Sequence, residues 1–238
     1  FGVNYPSKQK GRAIRYNKKF MPDDRYVSLK NLIKTGNIIS KEFAFYEVPF
    51  KHDIFDNATF QQTQIDFYAT ITNLNTAQAE YVKLTDPLAQ MEVLRATSAM
   101  PYVSTPIEIN GIPYLDGAIA DSIPLEQMKK MGYDKIIVVL TRTLDYRKSK
   151  PNPLLAKLWY RQYPKFAEAV NNRYVMYNQQ VENVIKQAEK GEIFVIRPSV
   201  DLSIKRVEKD PNKLQAMYEL GVSDMQREWK NLQAFLEK

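Results

Sequence analysis

At 238 residues, 44% hydrophobic and 26% charged, the chain can bury a full core, as one large α/β domain or as a domain with a helical appendage. It has no Cys and one His, His52, which excludes disulfides, thiol nucleophiles and nearly every zinc arrangement within it. No run approaches the roughly 18 apolar residues of a membrane span. The net charge of +7 is uneven: 9 Lys/Arg against 2 Asp/Glu in residues 1–40, 8 against 13 in 41–144, and 17 against 12 in 145–238. Gly supplies 8 residues, roughly half the usual share, so a backbone-lined anion loop is missing or lies elsewhere. The chain opens on Phe1 rather than Met and reads as processed, trimmed or partial.

Taken in order, Lys8 to Phe20 reads as a basic helix stopped at Met21-Pro22. Asp23 or Asp24 is expected to cap a second helix that ends at Thr35-Gly36-Asn37. Residues 42–60 are rich in aromatics and hold His52, which reads as a packed or surface side chain before it reads as a base. Gln64 to Asn73 and Ala77 to Leu84 alternate as the strands of a hairpin. Asp86-Pro87 opens a helix through Leu88, Met91 and Leu94.

A second hairpin is expected around Asn110-Gly111, whose turn residues both need positive φ. Asp116 follows it, Gly117 frees the backbone just after, and Ser122 or Ile123 precedes a helix with Pro124 at its first position. Gly132 stops that helix, and Ile136 to Leu140 is an unbroken apolar run suited to a strand buried on both faces of a parallel sheet. Tyr146 to Pro153 reads as a polar linker, which divides the chain into residues 1–145 and 146–238. The second part is expected to hold a long helix from Phe166 to Ala188, a strand at Ile193 to Ile196, and helices from Asp210-Pro211 onward. In those helices Met217, Met225, Trp229, Leu232 and Leu236 face the core.

Asp116 is the candidate site residue, and local spacing leaves its role open. It caps a turn, or it joins Asp121 or Glu126 in a glycosidase-type carboxylate pair, or it serves a Ser nucleophile in acyl transfer. Phosphoryl transfer lacks both a glycine-rich phosphate loop and clustered carboxylates. No metal or cofactor motif is present. A nucleic-acid module rests only on the basic ends and the 15 Tyr, with no recognition motif behind it.

Ala96-Thr97-Ser98-Ala99-Met100-Pro101, Thr105-Pro106, Tyr114-Leu115-Asp116-Gly117-Ala118, Asp121-Ser122-Ile123-Pro124, Gly132 and Ile136 to Leu140 resemble, in that order, the C-terminal half of the patatin-like phospholipase domain. The likeness runs from Phe1 to about Thr143 and is strongest to a bacterial branch of predicted esterases. The C-terminal pattern around Asp210-Pro211, Lys213-Leu214, Tyr218 and Leu220-Gly221 is similar to that branch too.

The resemblance implies a three-layer α/β sheet flanked by helices plus a mostly helical C-terminal region. It also implies a Ser–Asp dyad without His, with Asp116 as the acid and Gly117, Ala118, Ser98 and Pro101 as motif support. The chain departs from the family pattern in holding neither a Gly-x-Ser-x-Gly elbow nor a glycine-rich oxyanion loop. In similar proteins the Phe1-Gly2-Val3-Asn4-Tyr5 segment follows the nucleophile almost at once. The chain alone is therefore expected to be catalytically incomplete, with its Ser upstream.

Met100, Tyr102 and Val103 are candidates to line an acyl pocket. The substrate is expected to be a lipid or small ester, with no cofactor. The protein is expected in the cytoplasm, with peripheral contact to an anionic membrane through Lys8–Lys19 and Arg147–Lys165. The contrasting expectation is a non-catalytic remnant or binding module of the same fold.

Overall fold

The computed structural model describes residues 2–237. The fold is mixed α/β, a central sheet flanked by helices followed by a largely helical C-terminal region. A 3₁₀ turn at Gly2–Asn4 leads into α1 (Arg12–Phe20) and α2 (Leu29–Thr35), then a π-helix at Glu42–His52 with Pro49 inside it, and α3 (Asn57–Gln62). The first hairpin is β1 (Phe67–Asn73) and β2 (Ala79–Leu84); α4 (Met91–Ala96) then precedes the second, β3 (Ile107–Ile109) and β4 (Ile112–Asp116). After α5 (Leu125–Lys130) come β5 (Ile137–Val139), α6 (Pro153–Trp159), α7 (Pro164–Glu189), β6 (Phe194–Ile196) and α8 (Pro211–Glu237).

The four-stranded antiparallel sheet has the order β2-β1-β4-β3. Its register places Ile71 opposite Asp116 and Ile107 opposite Tyr114. Asn110 and Gly111 both take positive φ, 53° and 77°, as a two-residue turn matched to the strand twist demands. Buried side chains on both faces of this sheet join α4, α6 and α7 in one core: Ile71, Leu115, Ile119, Ala156, Tyr160, Phe166 and Val170 pack together. Phe166 is fully buried, worth roughly 1.5–3 kcal/mol for a side chain of its class, so α7 helps close the core that carries β4.

Four expectations are corrected. The cap of α2 is Ser28, whose Oγ accepts the Asn31 N–H at 3.2 Å; Asp23 is engaged by Arg25 instead, and buried Val27 bridges to Ile39 before the helix begins. The strand at β5 is not buried on both faces: it pairs in parallel with β6 alone, Val138 faces α7, and Ile137 and Val139 are exposed. The segment from Pro211 is one helix, since Gly221 lies within it without ending it. Leu232 and Phe235 are buried there, but Trp229 is 53% exposed and Leu236 48%, because the stripe facing β6 and Lys135 is narrower than the apolar pattern. Pro124 caps α5 from just outside rather than occupying its first position.

Candidate active site

Asp116 ends β4, and three backbone-level contacts fix it there. Its N–H donates to the Ala99 carbonyl at 3.0 Å, and its own carbonyl accepts from Thr72 Oγ at 2.9 Å. Thr72, fully buried on β1, also accepts the Ala120 N–H at 3.3 Å, so one hydroxyl ties both ends of the turn that follows Asp116. That turn is 3₁₀ (Gly117–Ile119), and it brings the Ala118 N–H to Asp116 Oδ1 at 2.9 Å. The turn-cap reading of Asp116 is thus realised through one oxygen only.

Gly117 is required by space rather than by φ. A Cβ there would lie 2.2 Å from the Thr70 carbonyl oxygen, well inside contact distance, while its φ is not positive. The missing side chain lets the turn lie directly on β1, which holds Asp116 at the end of β4.

Asp116 Oδ2 accepts no hydrogen bond among the described residues and is not sealed off by protein. Asp116 lines a cavity of about 540 Å³ whose wall also includes Ser98, Asp121 and Ser122. The remainder of the wall is mainly apolar, with Phe45, Phe55, Phe67, Met91 and Leu94. The 3₁₀ turn at Gly2–Asn4 borders the same cavity; Phe1, where the family resemblance starts, lies outside the described residues. Burial raises the Asp116 pKa above the ordinary carboxylate value, against the pull of the Ala118 N–H and the charges of Arg173, Arg206 and Lys148.

The other candidates are placed as follows. Ser98 borders the cavity with its Oγ donated to the Leu94 carbonyl at 2.7 Å, and Ser122 donates to the Ala118 carbonyl at 2.6 Å, so neither hydroxyl is bonded to Asp116. Asp121 is engaged at both oxygens, by the Tyr81 hydroxyl and by Gln180 Nε2, and Glu126 is held by Asn183 and Gln187 outside the cavity wall. These two carboxylates anchor α7.

Met100, Tyr102 and Val103 are not among the lining residues: Tyr102 packs on Trp159 and Tyr160, and the Val103 carbonyl accepts the Ile38 N–H. Pro101 forms the turn between them. His52 stacks on Phe20 and Phe43 beside Glu47, away from the cavity wall.

Sequence reasoning missed Thr72, Arg173, Arg206 and Lys148. Arg173 had a signal: it falls between Val170 and Tyr177 on the buried stripe of α7, where a charge is out of place, and its Nε donates to the Ala118 carbonyl at 2.8 Å. Among the described residues no cluster of His, Asp or Glu is placed to hold a metal, and no helix is long and apolar enough to cross a membrane.

An antiparallel sheet that sets Asp116 in the wall of a mainly apolar cavity has a layout common to small-molecule sites, an apolar hollow with a few polar groups. The family comparison agrees with this layout. The model of the patatin-like phospholipase family matches residues 6–129, more than half of the chain, and the chain belongs to that family. A separate domain of unknown function, DUF6363, matches residues 163–237. Over 52 residues the chain is 36% identical to the uncharacterized protein YjjU of Escherichia coli (strain K12). That stretch is 21% of this chain and spans 15% of the length of that relative.

Proposed function

We propose that this chain carries the acid of a Ser–Asp dyad and acts, with a Ser upstream of Phe1, as a serine acyl hydrolase on lipid-type esters. One observation carries the reading: Asp116, whose Oδ2 accepts no hydrogen bond among the described residues, lines the cavity that Gly2, Val3 and Asn4 also border.

Asp116 Oδ2 then takes the Ser Oγ proton as Oγ attacks the ester carbonyl, and returns it to the departing alkoxide. Water repeats the cycle on the acyl-enzyme: Asp116 takes its proton, the free acid leaves, and the proton goes back to Ser Oγ. A carboxylate in bulk water is a weak base for this work; burial, which moves Asp116 upward, brings it nearer the working range. The aromatic wall around Phe45, Phe55 and Phe67 holds the acyl chain. In this reading residues 1–145 belong to the hydrolase and 146–238 form its appended region, and the basic stretches Lys8–Lys19 and Arg147–Lys165 bring it to an anionic membrane surface.

The test is hydrolysis of p-nitrophenyl esters by the complete protein. Asp116→Ala is expected to lower the rate by about 10²–10⁴, the range for a positioned general base, with His52→Ala close to wild type. Equal rates in Asp116→Ala and wild type sink the proposal, and loss in His52→Ala alone replaces it with a His-based site. The contrasting reading, a binding module without catalysis, draws on the absence of any described hydroxyl bonded to the Asp116 carboxylate. It is favoured if the complete protein binds esters in this cavity and turns none over.

A further inference from the structure

Thr72 of β1 holds the turn after Asp116, and a second set of contacts reaches that turn from far along the chain. They all come from α7. Arg173 Nε donates to the Ala118 carbonyl at 2.8 Å, Gln180 Nε2 donates to Asp121 Oδ1 at 2.6 Å, and Gln180 Oε1 accepts the Ile123 N–H at 3.0 Å. Further on, Asn183 and Gln187 both donate to Glu126 Oε1, at 2.9 and 3.1 Å. These α7 residues are spaced by seven, three and four positions, which sets them on one side of the helix.

Apolar packing follows the same line. Phe166 and Val170 share one core with Leu115 and Ile119, and Val181 and Val184 share a second with Ile123 and Leu125. Residues later in one segment thus meet residues later in the other, and the chain from Leu115 to Glu126 runs along α7. The hydrogen bonds of Arg173 and Gln180 lie between the two cores.

From Arg173 the path to the carboxylate is short. The Ala118 carbonyl accepts from Arg173, and the N–H of the same residue donates to Asp116 Oδ1 at 2.9 Å. One residue therefore bonds to the acid at its nitrogen and to α7 at its oxygen. Ser122 Oγ donates to that carbonyl as well, at 2.6 Å, so both of its lone pairs are engaged.

The family matches cut across this arrangement. The patatin-like match ends at residue 129 and the DUF6363 match begins at 163, so each of these α7 contacts joins one matched segment to the other. Separate domains of one chain meet, as a rule, through modest and rather polar interfaces. These two segments share their cores instead.

We propose that α7, the opening helix of the DUF6363 segment, is the strut that positions the Asp116 turn, and that Arg173 is the positioning residue through which it acts on the acid. Its part in turnover rests on the hydrolase reading; the strut itself does not. Arg173 is not among the residues that line the Asp116 cavity, so it acts through Ala118 rather than on substrate. Release of the Ala118 carbonyl frees the turn that carries the one hydrogen bond the Asp116 carboxylate accepts among the described residues.

The test is Arg173→Met in the complete protein, which keeps most of the aliphatic stem and removes the guanidinium. On p-nitrophenyl esters kcat is expected to fall about 10- to 100-fold with KM within about twofold, because a base set roughly 1 Å out of place loses rate while the acyl wall is untouched. Leu232→Ala, in the part of the molecule where α8 packs on β6 and α1, is the control for lost stability. A like fall in kcat there overturns the positioning role, and so does an unchanged kcat in Arg173→Met. Arg173 also acts on Asp116 by charge, alongside Arg206 and Lys148. If the acid limb of the pH profile moves to higher pH and the plateau rate stays intact, charge alone is at work and the positioning role is overturned.

Hydrogen exchange reads the strut without turnover. The amides of Ala118, Ala120 and Ile123, bonded to Asp116 Oδ1, Thr72 Oγ and Gln180 Oε1, are expected to exchange about tenfold faster in Arg173→Met, with the β1–β2 hairpin at the wild-type rate. Unchanged protection at the turn overturns the strut. Faster exchange in a complete protein that hydrolyses nothing sustains the strut and ends the hydrolase reading, so the two fail separately. Gln180→Met cuts the other anchor and gives the same two readouts should Arg173→Met not fold.

Discussion

The Asp53 carboxylate accepts three guanidinium hydrogen bonds, one from Arg12 Nε at 3.1 Å and two from Arg15 at 2.9 Å, whereas the Asp116 carboxylate accepts a single backbone N–H and leaves an oxygen open. Burial opposes ionisation at both. At Asp53 the two arginines overcome it and hold the carboxyl below its ordinary value; at Asp116 burial prevails over cations that stay at a distance. The difference separates two uses of a buried charge. Direct pairing spends the carboxylate on structure, here in joining α1 to the end of the π-helix. A carboxylate left short of partners keeps a lone pair for a proton.

The largest effect expected from breaking this contrast is on the paired side. Arg12 is itself buried, with Nη1 on Asn4 Oδ1 and Nη2 on the Asp53 carbonyl. Arg12→Met leaves Asp53 enclosed with only the half-exposed Arg15, and is expected to cost about 3–5 kcal/mol in urea unfolding. The pH dependence follows the sign of the shift. A depressed carboxyl contributes stability above its unfolded value, near 3.8, and loses it as pH falls through the folded value. Wild type should therefore lose stability in acid more steeply than Arg12→Met. A variant as stable as wild type at neutral pH would show that the pair is ornamental.

On the open side the support is steric, and its breakage comes next in size. Gly117→Ala drives a Cβ into the Thr70 carbonyl and is expected to cost about 1–3 kcal/mol, because backbone of β1 cannot yield as a flexible side chain would. The matched change in α8, Gly221→Ala, meets nothing within 4 Å and should stabilise by roughly 0.5–1 kcal/mol through helix propensity. Thermal unfolding of the two variants tests the opposite signs. If both stabilise, the contact between the Asp116 turn and β1 is looser than the geometry states, and so is the placement of the acid.

What could be read from the sequence follows from how local each determinant is. The turn at Asn110-Gly111, the pairing of β1 and β2 as a hairpin, and the stop at Gly132 depend on residues close in the chain, and the structure has each of them. Asp116 stood out because a turn signal and a helix start bracket it within a few residues.

Its surroundings did not, because Thr72, Lys148, Arg173 and Arg206 come from four separate elements and meet only after folding. The π-helix at residues 42–52 was equally hidden, since its aromatics carry no period that distinguishes it from a packed loop. At β5, a run of five apolar residues suggested burial on both faces, while exposure depends on how many strands lie alongside, which composition does not encode.

The smallest effect expected is also the most discriminating between the two carboxylates. Asp116→Asn keeps the oxygen that accepts the Ala118 N–H and removes only the charge. A carboxyl whose folded pKa lies above its unfolded value costs the fold stability wherever it is ionised, and the cost disappears once pH falls below the unfolded value, near 3.8, where both states are protonated. Neutralisation should therefore raise the melting temperature at pH 7, with a gain that shrinks as pH falls through the folded value.

Asp53→Asn should do the reverse, lowering the melting temperature at pH 7 by an amount that fades in acid. Scanning fluorimetry of both variants from pH 7 to about pH 2 reads the two slopes side by side, because the Asp53 effect fades only below its unfolded value near 3.8. Should Asp116→Asn destabilise at pH 7, Asp116 would be acting as the counter-ion that holds Lys148, Arg173 and Arg206 together. Its open oxygen would then be a consequence of packing rather than a reserve for proton transfer. A gain at pH 7 joined to a loss of hydrolysis is the trade expected of a carboxylate kept under-partnered for chemistry.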